Sequence, residues 1–84
     1  MEKDIYLVLL TNGTILISEV KQVISELGEP DCKLVNPYIL ENENISPWLG
    51  VYTNDSEIMI SSDKIITLVE PKGYLFDQYV EKIK

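Results

Sequence analysis

The chain has 84 residues, 45% of them hydrophobic, and a formal net charge of −7, which allows one domain with a modest core. All seven basic residues are lysines, and binding to phosphate backbones is disfavoured because it depends on neutralising cations. The chain has no histidine and a single cysteine, Cys32. This composition argues against transition-metal sites, internal disulfides and acid–base catalysis near neutral pH.

Several other classes of protein are disfavoured as well. No apolar run approaches the roughly 20 residues of a membrane span, and no signal-peptide pattern follows the charged first four residues. The four glycines lie in separate stretches, so they form no phosphate-binding glycine loop. We therefore expect a cytoplasmic, non-enzymatic protein without cofactor or metal. Its single domain would have a tail over residues 1–4, a β region over residues 5–71 and a helix over residues 74–84.

The first predicted element is a β-hairpin. Two runs of strand-forming residues flank Asn12-Gly13, a pair typical of the type I′ turn, in which both central residues have positive φ. In the second arm Leu16 is flanked by Ile15 and Ile17. Since side chains alternate between the two faces of a strand, both faces must be covered, which favours a small, strongly bent barrel or sandwich.

The next stretch combines a loop with a bent strand. Residues 25–33 contain glycine, proline and acidic residues, which is typical of a solvated loop. Residues 34–40 follow as a strand that we expect to bend at Pro37, because proline lacks a backbone donor and belongs at an edge, a bulge or a strand start.

Residues 41–53 are interpreted mainly as loop. Glu41 and Glu43 stand at alternate positions, which favours a solvated loop over a calcium site because further oxygen ligands are missing. Residues 47–53 include a proline and a glycine, and they form either a sixth strand or part of the loop. Trp48 within them is interpreted as a packing residue.

Two short apolar strands and a helix complete the chain. Residues 56–61 and 65–69 flank a tight turn, and each strand has an apolar edge that would aggregate unless another strand covers it. From residue 74 the apolar period changes from two to between three and four, with Leu75, Tyr79 and Ile83 on one stripe. This spacing predicts a short amphipathic helix that must dock on the sheet.

Three segments together resemble the conserved motifs of Sm and Sm-like proteins. Val8-x-Leu10-x-Asn12-Gly13, followed by Ser18, resembles the first Sm motif, and Leu34-Val35-Asn36 resembles the strand that closes it. Residues 59–65, Met-Ile-Ser-Ser-Asp-Lys-Ile, resemble the second motif with Ser61-Ser62 in place of its Arg-Gly. The likeness covers residues 5–71 and is greatest to the small Sm-like proteins of cyanophages, so a phage-encoded chain would act in the host cytoplasm.

The resemblance implies a mainly β, five-stranded, strongly bent antiparallel barrel with a C-terminal helix. In that family the fourth strand of one subunit pairs with the fifth strand of the next, and the copies close into a homo-oligomeric ring. The subunit interface implied here comprises the apolar residues of the last two strands: Ile58, Met59, Ile60, Ile65, Ile66 and Leu68.

The resemblance also implies a ring that binds single-stranded RNA without catalysis. The implied contact residues are Asn36, which matches the family's asparagine, Ser61 and Ser62 in place of its arginine motif, and Lys33 and Lys64 as sources of charge. The alternative is a ring-shaped scaffold that binds protein through Trp48, Tyr52 or the C-terminal helix. For Asn36, Ser61 and Ser62, a purely structural role in turns is an equally good interpretation.

Overall fold

The computed structural model describes residues 4–84, so of the predicted tail over residues 1–4 the first three residues lie outside the described residues. The elements follow the order β1 Ile5–Leu10, β2 Ile15–Gln22, β3 Cys32–Glu41, β4 Asn44–Pro47, β5 Glu57–Ile60, β6 Ile65–Val69 and α1 Gly73–Ile83, with a 3-10 turn at Ser62–Lys64 between β5 and β6. The predicted mainly β architecture with a C-terminal helix is thus confirmed.

The strands form one antiparallel sheet that is not closed. Their order is β4-β3-β2-β1-β6, and β5 pairs with the part of β3 that β4 leaves free. The sheet has six strands, whereas five were predicted, because β3 is long enough to pair with β5 along its first half and with β4 along its second half. Within residues 4–84 nothing joins β5 to β6, so the predicted barrel is open along this seam.

The turn between β1 and β2 differs from the predicted type I′ turn. Gly13 has a φ of 90°, but Asn12 is not among the residues with positive φ. The loop is longer than two residues: the Gly13 N–H donates to the Leu10 carbonyl, and the Asn12 side chain accepts the Thr14 N–H. The prediction was wrong because Asn12 caps the chain locally with its side chain and does not enter the left-handed region.

A type I′ arrangement instead joins β3 to β4. Asn42 and Glu43 both have positive φ, 50° and 67°, between the paired residues Glu41 and Asn44. Residues 41–44 are all exposed, as predicted for a solvated loop, but the loop is a tight turn, because two consecutive left-handed residues fit the twist of a two-residue hairpin. Of residues 47–53, predicted as either a sixth strand or loop, only Pro47 belongs to a strand, as the last residue of β4, and the chain from 48 to 56 is irregular.

The strand β3 bends at Asn36, as expected from the following proline. Asn36 has a φ of 53°, and its N–H donates to the Ser56 carbonyl at 2.6 Å. Val35 is the last residue that pairs with β5, and Tyr38 is the first that pairs with β4. The bend therefore marks the point where β3 changes partner.

Two apolar cores lie on opposite faces of the sheet. One buries Ile5, Ile17, Ile45, Leu75 and Tyr79, with α1 as its cover. The other buries Val8, Leu10, Leu16 and Leu34 and includes the half-buried Trp48. We call it the concave core, because strands from both borders of the sheet, β5 and β6, pack against it and the sheet therefore curves around it. Neighbouring residues of β2 therefore serve different cores, which confirms that both faces of this strand are covered, although Ile15 stays 38% exposed.

Tyr79 links α1 to the sheet, because its hydroxyl forms hydrogen bonds with backbone groups of β2 and β3. This fully buried side chain shares its one hydroxyl proton between the carbonyls of Val35 and Asn36, at 3.0 and 2.8 Å, and accepts the Glu19 N–H at 3.3 Å. Its ring meets Tyr38 edge to face. Burial raises the pKa of Tyr79 to about 12, because the phenolate would lose its hydration.

Candidate functional site

Strands β5 and β6 are the two exposed apolar borders of the open seam. Within residues 4–84, β5 pairs with β3 alone and β6 with β1 alone, so one side of each strand carries free backbone groups. The three-residue turn Ser62–Lys64 separates them. Backbone donors and acceptors that are unpaired along a strand edge can form hydrogen bonds with another strand.

The predicted interface residues fall into two groups. Ile60 and Ile65 pack against the concave core of their own chain, and Ile58 is half-buried. Met59, Ile66 and Leu68 are 45%, 60% and 40% exposed. Ile66 lies at a bulge, because Leu10 pairs with Ile65 and Leu9 with Thr67. Part of the predicted interface is therefore packed within its own chain, and the other part is open to solvent.

A groove opens on the concave side of the sheet beside β6. It has a volume of about 590 Å³ and is lined mainly by apolar side chains, among them Tyr6, Val20, Cys32, Ile65, Ile66 and Leu68. Several of these continue the concave core, which buries Val8 and Leu10 on the same strands. The core is therefore incompletely covered along the seam, on the side where β6 forms the border.

Three of the predicted RNA-contact residues lie on one turn, and Asp31 joins them. Ser61, Ser62 and Lys64 belong to the 3-10 turn and its flank. The Ser62 N–H and hydroxyl both donate to the Asp31 carboxylate, at 2.7 and 2.8 Å. The Ser62 side chain and N–H are thus already engaged within the chain, by a negatively charged group.

Asp31 was not predicted as a site residue, and its environment holds it ionised. The hydrogen bonds from the Ser62 side chain and then the Ser62 backbone lower the pKa of Asp31. For the adjacent Cys32, burial and then the charge of Asp31 raise the pKa of the thiol, which keeps it protonated. The sequence places Asp31 at the end of the β2–β3 loop, but local spacing does not show that it lies beside Ser62.

The other two predicted RNA contacts lie apart from the turn or are paired. Asn36 follows Val35, which pairs with Glu57 at the end of β5 that lies away from the turn, and the Asn36 carbonyl accepts the Tyr79 hydroxyl. The Lys33 ammonium lies 3.3 Å from the Glu57 carboxylate. The predicted set is therefore not brought together at one place.

The residues proposed for protein binding are also divided. Trp48 is half-buried against the concave core, as predicted for a packing residue, whereas Val51 and Tyr52 are 91% and 86% exposed. Their loop is held by the Leu49 carbonyl, which accepts the N–H groups of Tyr52 and Thr53. Tyr52 is thus available to a partner, and Trp48 serves the fold.

Residues 4–84 contain neither a metal-binding cluster nor a membrane-spanning helix. No group of three or more His, Cys, Asp or Glu side chains in this range could hold a metal ion. No helix in the same range combines the length and the apolarity that crossing a bilayer requires.

Comparison with known proteins gives a family but no activity. Residues 3–84 match the DUF6561 family, which is described as a family of unknown function. No curated protein matches the chain.

Proposed function

The chain belongs to the DUF6561 family, and we propose that it is a ring-forming, Sm-like, non-catalytic scaffold whose copies join through β5 and β6. In this arrangement β5 of one copy pairs with β6 of the next. The contact is heterologous, since two different surfaces meet, and such contacts generate a closed ring when the rotation between copies closes.

The observation that carries the proposal is the open seam with an apolar strand on each side. A strand paired on β6 would satisfy its free backbone groups and cover Ile66 and Leu68. An incoming β5 would also bring Ile58 and Ile60 next to the groove, so the concave cores of neighbouring copies would become continuous. Exposed edges of this apolar kind are an aggregation hazard, and ring closure removes them.

Binding of single-stranded RNA is the second candidate function. The exposed turn with Ser61 and Lys64 favours it, because hydroxyl and ammonium groups can contact bases and phosphates. The engagement of Ser62 by Asp31, the pairing of Lys33 with Glu57 and the net charge of −7 weigh against it. We therefore place the protein-binding scaffold first.

The assembly contact is tested by charged substitutions at the seam. We expect Ile66→Lys and Ile58→Lys to convert the ring to monomers, since a lysine cannot be buried unpaired in an apolar strand contact. Ile24→Lys is the matched control, because Ile24 is fully exposed and lies outside the edge strands. Light scattering after size exclusion gives the mass, and seam variants that kept the wild-type multimer would refute the contact.

The choice between RNA and protein is tested by titration with short poly-U and poly-A RNA at several salt concentrations. A scaffold that does not bind RNA should show no complex in native mass spectrometry at physiological salt. An RNA-binding ring should instead give a complex whose affinity falls steeply with salt. Loss of that complex in Lys64→Ser would assign it to the β5–β6 turn.

A further inference from the structure

We propose that the β2–β3 loop, residues 23–31, docks a cationic, amphipathic peptide segment of a partner protein. The inference rests on the proposed scaffold function and names the chemistry of its partner. Two observations carry it: a pair of fully exposed aliphatic side chains in the loop, and the negative charge of the carboxylates around them.

The aliphatic pair is Ile24 and Leu27, each as exposed as in an extended chain, with a relative accessibility of 105%. The loop that carries them has its own hydrogen bonds: the Val23 N–H donates to the Asp31 carbonyl, and the Glu29 N–H to the Glu26 carbonyl, both at 3.0 Å. The loop therefore holds two apolar groups in water without using them in either core. A partner with apolar side chains would remove them from water.

The charge around this pair is negative. Glu26, Glu29 and Asp31 lie in the loop, and no lysine occurs between residues 22 and 32. The flanking lysines, Lys21 and Lys33, have carboxylate partners, Glu19 at 3.7 Å and Glu57 at 3.3 Å. An apolar surface with this rim complements a segment that carries Lys or Arg beside its apolar residues, and it repels phosphate.

The neighbouring turn supplies a second wall. The hydrogen bonds from Ser62 to Asp31 fix the β5–β6 turn against the loop. A cleft of about 200 Å³ lies between them, with Glu29, Asp31 and Asp63 among its lining residues. Carboxylates arranged in this way suit a guanidinium or ammonium group, and arginine can bind a carboxylate in bidentate fashion. In a ring the site recurs in every copy, which raises the apparent affinity for a partner with repeated segments.

The test measures binding of short fluorescent peptides to the full chain at low salt. One peptide contains Lys, Leu and Gly, a second has Glu in place of Lys, and a third has Ser in place of Leu. We expect the first peptide to bind at least about tenfold more tightly than the other two, because both charge and apolar contact are required. Equal binding of the first two peptides, or no binding of the first, would overturn the proposal.

Variants place the peptide on the loop. Leu27→Ser should weaken binding about fivefold through lost apolar contact, and the pair Glu26→Gln and Glu29→Gln about fivefold through lost ion pairs. The controls are Val51→Ser and the pair Glu41→Gln and Glu43→Gln, which remove an aliphatic side chain and two carboxylates at exposed positions elsewhere. If the controls weakened binding as much as the loop variants, the peptide would be held by groups spread over the whole surface, and the site would be refuted.

Binding of single-stranded RNA to the loop, abolished by the same variants, would overturn the cationic partner. The mass of each sample is measured alongside, and two outcomes then separate this inference from the proposed function. Peptide binding through the loop by a monomeric wild-type chain would support the docking site and contradict the ring, whereas an assembled ring that ignores the peptide would refute the docking site alone.

Discussion

At the scale of single residues, Tyr79 stands out because its side chain is fully buried and its hydroxyl has three backbone partners. Its hydroxyl meets backbone groups of β2 and β3 at the places where both strands depart from regular pairing, next to the register shift between Ile17 and Glu19 and at the bend of Asn36. The helical stripe predicted that Tyr79 would be buried. These hydrogen bonds could not be predicted, because they depend on where two distant strands bend.

Replacing Tyr79 by phenylalanine tests this role. We expect Tyr79→Phe to lower the free energy of unfolding by about 1–3 kcal/mol, since the ring still packs but the Glu19 N–H loses its acceptor and two carbonyls lose a donor. Urea unfolding followed by circular dichroism gives the value. Tyr74→Phe is the control, because Tyr74 is 63% exposed, and an equal loss there would mean that the buried hydroxyl contributes nothing.

The raised pKa of Tyr79 also predicts a pH dependence. The group has a pKa of about 12 in the folded chain and an ordinary value of 10.0, so the unfolded chain loses this proton first. The contribution is fully present below pH 10 and disappears as the pH rises to about 12, for a total on the order of 2 kcal/mol. Unfolding at a series of alkaline pH values should therefore show wild type losing more stability than Tyr79→Phe, and parallel curves would contradict the assignment.

At the scale of elements, β2 shows how far the sequence could specify the fold. Its apolar residues on successive positions predicted a strand covered on both faces, and the structure assigns Leu16 to the concave core and Ile17 to the core under α1. The short β4 was missed, because its four residues contain a proline and follow a stretch of Asn and Glu that resembles a loop. Its pairing depends on a turn in which Glu43 as well as Asn42 is left-handed, and propensity favours that conformation for asparagine but not for glutamate.

The two-sided covering of β2 is tested with conservative core substitutions. Ile17→Val should lower the free energy of unfolding by about 0.5–1.5 kcal/mol, because it removes one buried methylene group. Ile15→Val makes the same change two residues away at a position that is 38% exposed, and we expect a clearly smaller loss. Equal losses would mean that α1 does not cover Ile17 in solution.

At the scale of the whole molecule, the main feature is the open seam between β5 and β6, where the sheet does not close. Apolar strands with a tight turn between them predicted exposed edges, and the chain by itself leaves β5 and β6 unpaired with each other. The candidate RNA site could not be predicted from the sequence. Motif spacing along β3 favoured Asn36 as the neighbour of the serines, whereas strand register puts Asp31 beside Ser62. Register depends on pairing across the whole sheet, and local spacing does not determine it.

The proposed ring is tested most directly by the mass of the wild-type chain in solution, measured by sedimentation equilibrium over a wide range of protein concentration. We expect a closed multimer of a single size that persists on dilution and does not grow on concentration. A folded monomer at high concentration would contradict it, because β5 and β6 would then be stable without a partner strand.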